Sequence, residues 1–452
     1  MNLHRMLAAR AEDGRPIRVG LIGAGKFGSM FLAQARRTPG LHLLAVADLD
    51  VPVARRALAA TGWPEESIRA VSFDAALESG GTFVGDDGRA LIAADGMDLV
   101  IDATGDPAAG IRHVLACCQF GRHIIMVNVE ADALAGPLLA RRADAAGIVY
   151  SLAYGDQPAL ICEQVDWARA SGFDVVAAGK GTLYMPHFHA STPETIWDHY
   201  GLDAERAEAS GLNAKMFNSF LDGTKSAIEM AAVANATGLT PAPDGLAFPP
   251  CAVHDLASTL IPEADGGCLH HKGQVEVISS RDRDGRDIDG DLRWGVYVVF
   301  EAPSDYVERC FADYGLITDP SGRYTALWRP YHLIGLELGI SVAYAGLMDQ
   351  ATGCATGFRA DVAATAKRNL AAGEVLDGEG GATVWGRLMP AAASLEQGAL
   401  PIGLAHGMAL RNDVAEGTTL CWSDVAADGD DETVRLRREM ETTMAPSVSD
   451  AP

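Results

Sequence analysis

Short, nearly unbroken apolar runs punctuate the first 150 residues. Ile17 to Ile22, Leu41 to Ala47, Asp98 to Asp102, His123 to Val127 and Ile148 to Leu152 read as buried strands. Helices are expected between them: one after the first strand that ends near Thr38-Pro39-Gly40, one over Pro52 to Ala60, and one carrying His113. Thr82 to Ile92 reads as a hairpin around Asp87-Gly88. Strands alternating with helices predict an α/β fold with a parallel, doubly wound sheet. From about Tyr154 the pattern changes. Val175 to Ala178, Val275 to Ser279 and Gly295 to Glu301 alternate with polar helices and long Gly/Pro/Asp loops, and Arg281 to Asp291 is a charged turn between two strands. Asp361 to Gly378 reappears in outline as Ala409 to Asp424, each a strand, a polar turn, Ala-x-Gly and a short strand. The expected organisation is a Rossmann domain over residues 1–153 and a mixed α/β substrate domain over 154–355. A small β module over 356–425 and an acidic, flexible tail over 426–452 follow.

The first strand leads directly into Gly23-Ala24-Gly25-Lys26-Phe27-Gly28, and Asp48 ends the second strand. Each part of this G-x-G-x-x-G arrangement has a mechanical task. Gly23 permits the tight turn, Gly25 lets backbone approach a pyrophosphate, Gly28 lets helix pack on strand, and the helix N-terminus offers N–H groups to the anion. In a chain with 49 glycines the motif alone is weak, but its place between strand and helix, with an acidic residue about 20 positions on, makes it a dinucleotide site. Parallel sheets bind ligands beyond their strand C-termini. Ala103, Thr104, Gly105, Asn128 and Val129 therefore fall where a nicotinamide and its ribose would lie.

Composition narrows the class. The 452 residues, 48% hydrophobic and 21% charged, suit an ordinary soluble enzyme. A net charge of −24 disfavours nucleic acid or an anionic membrane as partner. No stretch approaches the roughly 18 apolar residues of a membrane span, and the first residues lack the apolar segment of a signal peptide. The eight cysteines form no C-x-x-C pair, which points to reduced, buried thiols and a cytoplasmic location.

Rossmann domain, asparagine-bearing strand end and α/β substrate domain together resemble homoserine dehydrogenase, but Val129 stands where that family carries a proton-transferring lysine after the asparagine. A resemblance covering Arg18 to about Asp424 is to the deoxyxylulose-phosphate reductoisomerase-like proteins, which look like homoserine dehydrogenases with a C-terminal SAF domain, a β-clip module. The segments carrying it are Gly20–Met30, Met126–Asp132, Tyr150–Pro158, Ala177–Thr182, Asn218–Glu229 and Pro330–Glu337. The resemblance implies NADPH-dependent conversion of 1-deoxy-D-xylulose 5-phosphate to 2-C-methyl-D-erythritol 4-phosphate, an isoprenoid-precursor step. It also implies a small phosphorylated sugar or polyol as substrate, and related folds suggest a homodimer. Other readings are an NAD(P)-dependent dehydrogenase or oxidoisomerase of another small sugar, polyol or hydroxy acid, and a non-catalytic NAD(P)-binding protein. Asp48 favours a free ribose 2′-hydroxyl, hence NAD(H), unless Arg55 and Arg56 offset its charge.

Such chemistry needs a proton shuttle, an oxyanion stabiliser and an anion clamp. Lys180 is expected at a strand end among small neighbours that leave room for a ligand. Asp222, Lys225 and Glu229 open a helix in which Lys225 and Glu229 are i,i+4; the pair is either a catalytic face or a plain helix ion pair capped by Asp222. Arg329 and His332, with Tyr331, could clamp phosphate or relay a proton. His187 and His189, if on a strand, would share a face as metal ligands, and Cys268, His270 and His271 offer another such set; whether a divalent metal is needed stays open.

Overall fold

A computed structural model of the chain describes residues 2–209 and 212–444. It divides into two compact units. The first comprises residues 1–160 and 332–355, the second 161–331 and 356–452.

The first unit is built on six strands: β1 (Ile17–Ile22), β2 (Leu41–Ala47), β3 (Phe83–Gly85), β4 (Leu99–Asp102), β5 (His123–Met126) and β6 (Tyr150–Leu152). Their order is β3-β2-β1-β4-β5-β6 and every pairing is parallel, so the apolar runs are explained by burial on both faces. The reversal of order beside β1 places the crevice at the ends of β1 and β4. Leu338, Val342, Ala343 and Ala345, around the helix Gly339–Met348, join Val19, Leu21, Leu99 and Ile101 in one core. Residues 332–355 are thus part of the first unit, contrary to the expected boundary at 153, because the apolar helix finds its burial there. The expected hairpin at 82–92 is also corrected. Asp87 accepts the Ala90 N–H and starts the helix Gly88–Ala93, while β3 pairs in parallel with β2. An Asp-Gly pair caps a helix as readily as it turns a hairpin.

The second unit carries β7 (Asp174–Thr182), β8 (Gln274–Ser279), β9 (Val296–Glu301) and β10 (Tyr324–Arg329) in the order β10-β9-β7-β8, mixed in direction. β11 (Ala360–Ala366) and β12 (Val384–Pro390) form an antiparallel pair. The helix Thr224–Thr237 packs against both sheets. That explains why this helix is buried on nearly every side, with Ala227, Ile228 and Met230 to Ala234 all inside. The expected β module therefore lies within this unit rather than forming one of its own. Only the first copy of the repeat is a full strand. The second makes isolated bridges (Thr365 with Thr419, Leu370 with Val414, Leu410 with Val425) and the short 3-10 turn Trp422–Asp424.

Part of the expected tail is packed structure. The helix Glu432–Thr443 buries Arg437, whose guanidinium donates to Asp361 Oδ2 at 2.5 Å and to Glu441 Oε1 at 2.9 Å. The remainder of that tail, residues 445–452, lies outside the described residues. Among the described residues no helix is long and apolar enough to cross a membrane.

Candidate functional site

The glycine turn is shaped by close approaches. Gly23 has φ +93°, and a Cβ there would meet the Ala103 carbonyl oxygen at 2.6 Å. A Cβ on Gly28 would lie 2.2 Å from the Gly23 oxygen, so the helix Lys26–Ala35 can approach β1 only without one. Gly25 differs: nothing lies within 4 Å of its Cβ position. That open space, beside a helix whose N-terminus has no side-chain cap, is what a backbone pyrophosphate site requires. The Lys26 and Phe27 positions open this helix; their backbone is the useful part. Asp48 Oδ2 accepts the Ala24 N–H at 2.8 Å and Oδ1 accepts the Asp50 N–H at 2.9 Å, so the acidic residue braces the turn. Arg55 donates to the Ile68 carbonyl rather than to the Asp48 carboxylate.

At the end of β4, buried Asp102 accepts from Thr104 N at 2.9 Å and Thr104 Oγ1 at 2.7 Å through Oδ1, while Oδ2 faces His113 Nδ1 at 3.2 Å. Asn128 is buried too. Its amide donates to Thr104 Oγ1 (3.1 Å) and the Asp106 carbonyl (2.8 Å), and its oxygen accepts from Ala131 N. The structure thus brings Ala103, Thr104, Gly105 and Asn128 together, with the Asn128 amide spent on holding the loop. Val129 is the first, buried residue of the helix Val129–Ala145 and offers only backbone. Asp102 and His113 were not singled out from the sequence; an acidic residue closing an apolar strand before Thr-Gly was the available signal.

In the second unit Lys180 lies within β7, between Val277 of β8 and Val296 of β9, not at the strand's end. Its small neighbours serve packing: Cβ atoms on Gly179 and Gly181 would lie 1.8 Å and 2.0 Å from the carbonyl oxygens of Glu276 and Leu292. These glycines lie on the face of β7 opposite the Lys180 side chain, so they are not what would make room for a ligand beside it. The Lys180 ammonium pairs with the Glu229 carboxylate of the helix Thr224–Thr237, the side chains only 8% and 5% exposed. Lys225 is half-buried in the first turn of that helix.

Asp222 has another partner. Its carboxylate, wholly buried, accepts from Lys367 Nζ at 2.7 Å and from Thr224 N at 2.9 Å, and the helix N-cap is Gly223. Lys367 Nζ also donates to the carbonyls of Ser191 and Gly381, each at 2.7 Å. Burial pushes the Asp222 carboxyl up and Lys367 opposes it. With every donor and acceptor engaged, the pair braces the start of the helix bearing Glu229. Lys367 was missed because its partner is far off in sequence; a lysine ending the apolar run Asp361 to Ala366 was the clue.

Arg329 closes β10, its guanidinium 5.8 Å from the exposed Tyr331 ring. Arg329 and Tyr331 belong to the second unit and His332 to the first.

The proposed histidine pair is on the 3-10 helix Pro186–Ala190, where i and i+2 point apart. His189 Nδ1 donates to the Asp222 carbonyl at 2.6 Å, Tyr184 faces Nε2 at 2.9 Å, and the ring stacks on Trp385. Burial lowers this histidine to about 4. His271 is engaged by Thr240 Oγ1 at 2.6 Å. Among the described residues no three His, Cys, Asp or Glu side chains converge as a metal site. The cysteines are free thiols, and burial raises Cys251 to about 12.

Residues 155–338 match the sequence model of a family described as "Oxidoreductase DRL, catalytic domain". No curated protein matches the chain. Solved structures that resemble parts of it include an NAD binding oxidoreductase from Klebsiella pneumoniae, 19% identical, covering 39% of this chain and 47% of that one at a TM-score of 0.28. Another is a myo-inositol dehydrogenase from Corynebacterium glutamicum, 13% identical, covering 40% and 48%, TM-score 0.28. A third, the WlbA dehydrogenase from Bordetella pertussis in complex with NADH and UDP-GlcNAcA, is 18% identical, covering 38% and 49%, TM-score 0.28. The matched part is under half the length of each of these structures. The matched segment thus resembles an oxidoreductase catalytic domain, and the Rossmann sheet with its glycine turn precedes it in the chain.

Proposed function

We propose that the chain moves a hydride between NAD(H) and the C–O centre of a small polyol, hydroxy acid or keto-sugar, with Lys180 as acid–base group and Glu229 as its counter-ion. The observation that carries this reading is the buried Lys180–Glu229 pair inside the segment that matches an oxidoreductase catalytic domain. A nicotinamide, when bound, supplies or accepts the hydride. The substrate oxygen must then gain or lose one proton, which an ammonium on a sheet strand can give or take at fixed geometry. Glu229 holds the charge of Lys180 and orients its remaining protons. Asp222 and Lys367 act one step removed, by fixing the helix that carries Glu229.

Asp48 supports NAD(H) over NADPH. Its carboxylate at the end of β2 suits ribose hydroxyls and repels a 2′-phosphate, and Arg55 is turned away. A second reading is the reductoisomerase one, with NADPH and a phosphorylated deoxy-sugar. In its favour, two segments that carry that resemblance, Ala177–Thr182 and Asn218–Glu229, are those that hold Lys180 and Glu229.

The experiment is a product assay with 1-deoxy-D-xylulose 5-phosphate and with a panel of polyols, hydroxy acids and keto-sugars, each with NADH/NAD⁺ and NADPH/NADP⁺. Turnover of a panel member with NAD(H) supports the first reading; a methylerythritol phosphate product establishes the second. Lys180→Ala should cut kcat at least 100-fold, the lower range of acid–base contributions, while cofactor affinity stays unchanged. Full activity in that variant removes Lys180 from the chemistry.

A further inference from the structure

The geometry points to a second ligand site in the first unit, separate from the glycine turn, that takes a phosphate monoester bearing a flat ring. A cavity of about 480 Å³ opens at the start of β2, lined by Arg36, Arg37, His42, Trp63, Ser67 and Thr82 among others. Its size is within the range of small-molecule sites, roughly 300–1,000 Å³.

Charge makes this cavity unusual for this protein. The chain holds 60 acidic and 36 basic residues, yet two arginines and a histidine line the cavity and no carboxylate does. The arginines differ in their duties. Arg36 donates to the Gly62 carbonyl and so stays in the wall. Arg37 is exposed, and among the described residues its guanidinium meets no hydrogen-bond or ion-pair partner. An unengaged guanidinium beside a second, fixed one is suited to a phosphate dianion, which accepts paired N–H donors.

The flat-ring requirement comes from Trp63. Its Nε1 donates to the Leu32 carbonyl at 2.9 Å, and the half-buried indole packs against the core, so an aromatic wall is fixed before any ligand arrives. Leu41 and Leu43 add apolar lining, and His42 is held by the Gly81 carbonyl at 2.8 Å. A pre-formed aromatic surface next to cationic donors favours a planar anion over a simple ion, because ordering the wall costs nothing on binding.

The site is not an extension of the dinucleotide crevice. The cavity lies at the N-terminal end of β2, whereas Asp48 follows its C-terminal end; seven residues at about 3.3 Å each put roughly 20 Å between them. The helix Lys26–Ala35 likewise begins at the glycine turn and ends at the cavity, about 15 Å away at 1.5 Å per residue.

The test is calorimetric titration of the whole protein, saturated with NADH, with uridine 5′-monophosphate, uridine and inorganic phosphate. The expected result is saturable binding of the monophosphate, at least tenfold weaker binding of phosphate and uridine, and a further tenfold loss for the monophosphate in Arg37→Glu. This variant, at an exposed position, should keep wild-type NADH affinity, and Trp63→Leu should weaken the monophosphate similarly. Absence of saturable binding by the monophosphate to the NADH-saturated protein overturns the proposal, as does binding that survives Arg37→Glu.

Discussion

Replacing Lys367 by methionine should be far more damaging than its place outside the matched catalytic segment suggests. The Lys367 and Asp222 side chains are 2% and 0% exposed, so this ammonium compensates a carboxylate cut off from water. Breaking a buried pair by removing one partner costs about 3–5 kcal/mol. The carbonyls of Ser191 and Gly381 each lose one donor but keep the Asn218 amide, so neither is left unsatisfied and they add little to the cost. Methionine refills most of the volume, so about 4 kcal/mol at pH 8, from the broken pair, is the working expectation. The sign of the pH dependence follows. Without Lys367 the burial of Asp222 is opposed by the Thr224 hydrogen bonds alone and raises its folded-state pKa above the unfolded value near 3.9. A carboxyl shifted that way contributes stability below its unfolded pKa and loses it as pH rises through the folded one, so the deficit should shrink between pH 8 and pH 5. Adding Asp222→Asn removes the stranded charge and should recover about 3 kcal/mol of the ion-pair share. Urea denaturation followed by fluorescence reports on the right unit, since six of the seven tryptophans lie in it. A single-variant cost under about 1 kcal/mol, or a double variant no better than the single, would refute the reasoning.

Three further outcomes are expected. Gly25→Ala should leave the stability of the cofactor-free protein within about 0.5 kcal/mol of wild type yet weaken NADH binding at least tenfold by calorimetry, whereas Gly28→Ala, 2.2 Å from a carbonyl, should lower thermal stability as well. Burial raises Glu276 to about 7, against the pull of the backbone N–H groups of Val277, Ala247 and Phe248. Its stabilising contribution is complete below pH 4.5 and fades as pH climbs through 7; Glu276→Gln should flatten that slope and stabilise the protein at pH 8 by up to about 3 kcal/mol, read from urea midpoints. Arg437→Leu strands Asp361 in the core and should cost about 3–5 kcal/mol, seen as an earlier thermal transition, while NADH affinity is unmoved.

Features decided by near neighbours along the chain are legible in the amino-acid sequence itself. The strand Ile17–Ile22, the turn from Gly23 to Gly28, and Asp48 form one local chain of cause, and the fold keeps each of them. Sequence and fold part where a local signal has two physical uses. Asp87-Gly88 caps a helix instead of turning a hairpin, and the glycines beside Lys180 admit neighbouring carbonyls instead of a ligand. Contacts across long stretches of chain leave no local signal: spacing matches Glu229 with Lys225, while Lys180 comes to it from another element, and Asp222 meets Lys367 from 145 residues away. Periodicity places a residue on a face but does not say what arrives from elsewhere to cover it.

The return of residues 332–355 to the first unit makes the polypeptide cross between its halves three times. A ribosome must therefore release all of residues 161–331 before the helix Gly339–Met348 can seal the core that Ile17 and Val19 began. Such distant closure slows folding and leaves an early half-product with apolar surface bare. Cutting after residue 160 should yield an aggregating fragment, whereas joining residue 160 to residue 332 through a short linker should give a soluble nucleotide-binding module. For anyone grafting this cofactor fold onto another enzyme, the natural unit of exchange is the discontinuous piece.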